Sequence, residues 1–306
     1  MEPLPARHTP PSITSKPLPG LGALSVYART RRYPQTRVIV EPLLWTKLQL
    51  ELLECTFSEP LHAPPTVTKL NYDGDSNCQR AFAHHMFRSR GFGNRAIAVR
   101  CLIGGPQVPL QCLDFNFSFG SYNNVLLPCS YFCMRDKCEG ANKLTPIVAY
   151  VDHDHIVHLR RMKFSRMYGI EDPGLRLARI RLKSYNLAEP LQDPYLVAVL
   201  IAFAQKQRRA LKPAMLEQVA GVCPKLLRTS GNTDLIHLYS TNMSLTFLSM
   251  FDNPAVPPPT PQSLSIQITA IPCEPLNTLR DRIMAQVLSV TTPEEAGGSD
   301  YSIVFK

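Results

Sequence analysis

Asp193-Pro194-Tyr195-Leu196-Val197-Ala198-Val199-Leu200-Ile201-Ala202-Phe203-Ala204-Gln205-Lys206-Gln207-Arg208-Arg209 is the stretch on which the fold turns. Asp193 suits an N-cap because its carboxylate accepts an orphan N–H, and Pro194 has no N–H to leave unsatisfied in the first turn. Tyr195 to Ala204 are apolar on every side of a helix. Lys206, Arg208 and Arg209 put cations at the end where the helix dipole favours them. A helix without a polar face belongs at the centre of a sizeable core.

Downstream, the spacing predicts a strand at Leu235–Tyr239, a short helix near Leu245–Phe251, a proline-rich loop from Asn253 to Pro261 and a strand at Leu264–Ile268. A last helix starts at Pro275 with Leu276, Leu279, Ile283 and Val287 on one face. Upstream, Ala178–Lys183 alternates as a strand with a basic exposed face. Ile147–Val151 and Ile156–Leu159 read as a hairpin around Asp152-His153-Asp154-His155. Leu113–Phe119 alternates strictly, and Ala96–Ile103 reads as a buried strand. A helix is expected after Asp75-Ser76, closed by Gly91, with further strands at Val38–Val40 and Leu48–Leu52.

Strands alternating with helices predict a mixed α/β (α+β) fold, a mixed sheet with packed helices whose N-terminal half is more β-rich. Residues 1–20 read as a disordered proline-rich tail, 21–290 as a single α/β domain or two lobes meeting near 172–174, and 291–306 as a C-terminal tail. The predicted core contains Leu196, Leu200, Phe203, Phe247, Leu248, Leu279 and Ile283.

Hydrophobic residues at 44% and charged residues at 19% exclude a disordered chain. The net charge of +9 is compatible with nucleic acid, acidic membranes or acidic partners and requires none of them. Nine cysteines without dense pairing read as thiols of a reducing compartment, and Met1–His8 has no apolar h-region. The longest apolar run is about half of a bilayer span, so no membrane span is expected. These features together predict a cytoplasmic or nuclear protein.

No catalytic motif is complete. There is no G-x-S-x-G, no Walker A and no G-x-G-x-x-G loop. Asp73, Asp75 and Asn77 open a calcium-loop spacing, but Cys78 and His84 stand where it needs glycine and glutamate. Cys129, Cys133 and Cys138 with His153, His155 and His158 could supply zinc ligands, although no C-x2-C knuckle places two thiolates on one turn. A magnesium-dependent nuclease would draw on Asp114 with Asp152 or Asp154, the best candidate set for catalytic carboxylates, without the D/E-x-K triplet. Arg29, Arg31, Arg32, Arg160, Arg161, Lys163, Arg166, Arg179, Arg181 and Lys183 could track a phosphate backbone, with little aromatic interleaving. The expectation is no cofactor, with zinc or magnesium as the alternatives.

The C-terminal half resembles an uncharacterised protein family of filamentous ascomycete fungi. The resemblance is carried by Asp193-Pro194-Tyr195-Leu196-Val197-Ala198 through Ala204-Gln205 and Arg208, by Leu238-Tyr239-Ser240, by Phe247-Leu248 to Phe251-Asp252-Asn253-Pro254, and by Ile271-Pro272. It implies a fungal intracellular protein, and an accessory role beside secondary-metabolite biosynthesis, where some similar genes lie. It implies no active-site residue. The functional expectation is a non-catalytic accessory or interaction protein with a protein partner; the alternative is a nucleic-acid-binding or nuclease-like protein.

Overall fold

The computed structural model describes residues 20–64, 91–104, 110–111, 115–120, 123–135, 144–168, 171–185, 189–212, 218–231 and 234–289. The helices are α1 (Val26–Thr30), α2 (Lys47–Leu52), α3 (Phe92–Ile103), α4 (His153–Tyr168), α5 (Asp172–Tyr185), α6 (Pro194–Ala210), α7 (Leu245–Asp252) and α8 (Leu279–Leu288). The strands are β1 (Cys55–Phe57), β2 (Leu61–His62), β3 (Leu110–Gln111), β4 (Phe115–Phe119), β5 (Asn123–Leu127), β6 (Ser130–Arg135), β7 (Leu144–Asp152), β8 (Gly221–Val222), β9 (Lys225–Thr229), β10 (Leu235–Ser240), β11 (Met243–Ser244) and β12 (Leu264–Pro272).

A mixed sheet orders its strands β1-β12-β10-β9-β7-β6-β3, with β2 also on β12. β7 and β9 run parallel, joined by a crossover through α4, α5 and α6, as parallel neighbours require. β9 pairs antiparallel with β10, and β10 with β12. Each face of this sheet carries a core. On one face α6, α7 and the β4–β5 hairpin bury Leu196, Leu200, Phe203, Phe247 and Leu248; on the other, α3 and α8 bury Val99, Leu102, Leu279 and Ile283. The predicted core residues are all buried, divided between two layers.

The helix from Pro194 forms as expected, with Asp193 accepting from the N–H of Tyr195 at 2.9 Å. Its buried Gln205 is satisfied by the backbone of Ser118, which binds β4 to the helix. β10 and α7 match their expected positions, α8 starts at Leu279 behind a 3-10 turn at Leu276–Thr278 and not at Pro275, and β12 extends four residues further to Pro272.

Other readings are corrected. Leu48–Leu52 is helix α2, not a strand, because Thr46 accepts from the N–H of Leu48 while Gln49 accepts from the N–H of Thr46. Val38–Val40 is no strand; side chains of Gln49 and Trp45 donate to its Val38 and Val40 carbonyls. Ala96–Ile103 lies in helix α3, where Ala98 and Leu102, and Val99 and Ile103, recur at helical spacing on the buried face. Gly91 stands immediately before this helix.

The expected hairpin at Asp152–His155 is a strand-to-helix junction, since Asp152 accepts from the N–H groups of Asp154 and His155 and starts α4. Ala178–Lys183 is part of helix α5, which opens with Asp172-Pro173, the same signal that begins α6. The terminal tails, the helix after Ser76, and the candidates Asp114 and Cys138 lie outside the described residues. No helix among the described residues is long and apolar enough to cross a membrane.

Candidate functional site

The parallel strands β7 and β9 end side by side, Asp152 opposite Thr229. The carboxyl rim of such a pair is where α/β sheets accommodate ligands, because helices begin there and loops diverge. Four of the side chains singled out from the sequence lie at this rim, Asp152, His153, Asp154 and His155, and Arg160 follows two turns into α4.

On the α3 face Asp152 is engaged through both oxygens and the half-exposed Asp154 through Oδ2. Five donors converge on Asp152: Nε and Nη2 of Arg95, both at 2.8 Å, the Thr229 hydroxyl at 2.6 Å, and the N–H groups of Asp154 and His155. Asp154 accepts from Arg95 at 2.5 Å and from the N–H of Gly231 at 3.2 Å. A side chain at Gly231 would meet the Asp154 carboxylate at 2.8 Å, which explains glycine there. The Thr229 proton goes to Asp152, so Tyr150 donates to Thr229 at 2.8 Å. Burial works against the Arg95 charge, and Asp152 and Asp154 outweigh it, holding the guanidinium above its usual range. With its lone pairs occupied, Asp152 is a structural anchor rather than a metal ligand.

The zinc set is dispersed. Cys133 on β6 and Cys129 just before it belong to the apolar core under α6, where burial pushes the Cys133 thiol up to about 11 against the opposing charge of Lys206. His155 stacks on Phe92 of α3 with ring centroids 4.9 Å apart, and His158 lies against the same ring at 5.5 Å. Among the described residues no group of three or more His, Cys, Asp or Glu could hold a metal ion.

The basic residues are similarly divided. Arg160 is buried, bound by both Nη atoms to Asp193 at 2.7 Å and by Nε to the Leu43 carbonyl, tying α4 to the cap of α6. Lys163 pairs with Glu41 at 2.8 Å. Arg161, Arg179, Arg181 and Lys183 are exposed, but Arg179 and Arg181 are two positions apart on a helix and point to different sides. They do not form the single basic face that a strand would have made.

A second concave feature was not foreseen. A cavity of about 510 Å³ opens between α1, the 37–42 segment and the β4–β5 hairpin, walled by Trp45, Phe117, Phe119, Val125 and Phe251. Trp45 meets Phe117 edge-on at 5.5 Å, and Phe251 meets Phe117 at 5.7 Å and Phe119 at 6.4 Å. Arg29 braces one side: its guanidinium donates to the carbonyls of Gly22, Leu24 and Leu52. Burial lowers its pKa, with Glu54 opposing. Arg37, Glu41 and Asn124 supply polar groups.

Sequence reasoning missed Arg95, Thr229, Arg228 and His237 at the rim and the aromatic wall of the cavity. The aromatic spacing of β4 was visible, but Trp45 and Phe251 reach it from distant segments. No protein-family model matches the chain, and a search of curated proteins finds no match.

Proposed function

We propose that this protein is a non-catalytic accessory protein that binds an apolar small molecule in the Trp45–Phe117–Phe251 cavity. The cavity carries the reading: about 510 Å³ is the size that encloses a small organic ligand, and aromatic walls with a few polar groups are the usual lining of such sites. The locked carboxylates of the rim support a binding role over metal-assisted hydrolysis, since Asp152 has no lone pair to spare. In the fungal setting implied by the resemblance of the C-terminal half, the ligand is an apolar intermediate of a secondary-metabolite pathway, held for a protein partner.

Trp45 is the chain's only tryptophan, so its emission reports on the cavity directly. Titration with the neutral fluorophore N-phenyl-1-naphthylamine is expected to quench Trp45 saturably while the probe brightens. Val125→Arg, which places a charge in the wall, should weaken binding by about tenfold or more. Absence of saturable quenching would remove the binding role. Turnover of a supplied intermediate by the pure protein, lost on one polar substitution, would remove the non-catalytic one.

A further inference from the structure

On the α6 face of the same rim the arrangement is the reverse of the Arg95 network. Strand register sets Arg228 of β9 between Val151 of β7 and His237 of β10. Arg228 is 2% exposed and His237 5%; His153, the first residue of α4, follows Asp152 beside this row. The Nε of Arg228 and the Nδ1 atoms of His153 and His237 are buried without a hydrogen-bond partner among the described residues.

No carboxylate of the described residues pairs with Arg228. Asp193 gives both oxygens to Arg160, and Asp152 and Asp154 are held by Arg95 on the opposite face. Tyr239, on the same face of β10, spends its hydroxyl on the Leu191 carbonyl. A guanidinium removed from water without a counter-charge is among the costliest arrangements in a protein, and three orphaned polar atoms clustered in one place call for a common partner.

We propose that Arg228, His153 and His237 form a binding site for a phosphate-type oxyanion at the carboxyl end of β9. The guanidinium sets the sign of the ligand and repels any cation that the imidazoles would otherwise attract. The number of donors sets its shape. A phosphate group spreads its terminal oxygens over a tetrahedron, so each of three separate nitrogens can meet its own oxygen, whereas a planar carboxylate crowds all its acceptor sites onto two oxygens in one plane. The start of α4 adds backbone dipoles of the favourable sign. Without a ligand, burial and then the Arg228 charge hold both imidazoles below their usual range, His237 at about 4. An oxyanion among them offsets the Arg228 charge and turns both rings into donors. This site is separate from the aromatic cavity, and the proposal stands or falls independently of the ligand bound there.

The test is calorimetric titration of the full chain in phosphate-free buffer at constant ionic strength, with inorganic phosphate, phenyl phosphate and acetate as separate titrants. Saturable phosphate binding with Kd below about 1 mM is expected, with acetate weaker by about tenfold or more. Arg228→Met should abolish the signal, and His237→Gln, which keeps the guanidinium, should weaken it by about tenfold. Tighter binding of phenyl phosphate than of phosphate marks a phosphomonoester as the ligand; equal or weaker binding marks the free ion. Histidine ring resonances of the unaltered protein give a readout that needs no variant, since phosphate should move two of them towards their protonated positions. Phosphate binding retained by Arg228→Met, or neither heat nor shift with the unaltered protein, overturns the proposal.

Discussion

Two faces of one strand end solve the problem of a buried guanidinium in opposite ways. Arg95, on the α3 face, meets two carboxylates, and every neighbour in its network has a partner: Asp152 serves five donors, and Tyr150 gives its proton to Thr229. Arg228, one residue before Thr229 and pointing to the α6 face, has two imidazoles beside it and, among the described residues, no acid paired with it. Both side chains are withdrawn from water to the same degree. Burial therefore does not distinguish a structural charge from one kept for a ligand; the difference lies in what the surrounding atoms leave unsatisfied. By that criterion the carboxylates that look most catalytic in the sequence are structural, and a strand arginine without motif context is the candidate for binding.

Three measurements would break or sharpen this contrast. The largest effect is expected from Asp152→Ala, which strands the Arg95 charge and uncaps α4, and should lower unfolding free energy in urea by about 3–5 kcal/mol. Asp152→Asn, which still accepts the α4 N–H groups, should lose less. A loss below about 1 kcal/mol for the alanine variant would contradict the structural role.

Next in size is the acid limb of stability. His237 titrates at about 4 in the folded chain and near the ordinary histidine value once unfolded. Between those values the unfolded chain takes up a proton that the folded one refuses. Its contribution is therefore complete above the ordinary value and falls as pH drops through the window, by up to about 3 kcal/mol. Urea midpoints measured down this range should fall more steeply for the parent than for His237→Phe; parallel curves would mean that the ring is not held neutral.

The smallest effect has the unusual sign. Arg228→Met should raise stability by about 1 kcal/mol in anion-free buffer, because an apolar side chain replaces an unpaired charge. A clear loss would show that Arg228 has a structural partner after all.

The sequence carried the centre of the fold legibly. Asp193-Pro194 and the all-apolar run after it placed α6, and strict alternation placed β4, because cap chemistry and period are local. Ala96–Ile103 and Leu48–Leu52 were misread as strands since short apolar runs satisfy both periods, and only burial on one side selects the helix. Asp152 was noticed as a possible metal ligand, although its position before Ile156, Arg160 and Phe164 was a helix start of the same kind as Asp193. The two networks themselves were beyond local reading. Arg95 and Asp152 are 57 positions apart, and Arg228 and His237 become neighbours only through the β9–β10 register.

The pairing of β1 and β2 with β12 bears on how the chain is made. Ser58 accepts from the N–H of Ile268 across 210 positions, so among the described residues the early strands have no strand partner until the late one is synthesised. At ordinary translation rates that interval is about 10–40 s. Until β12 arrives, Leu235–Ser240 is the open border of a growing sheet, with unpaired backbone groups exposed to any neighbouring nascent chain. A chain cut before residue 264 therefore keeps that border open and leaves β1 and β2 without the strand they pair with.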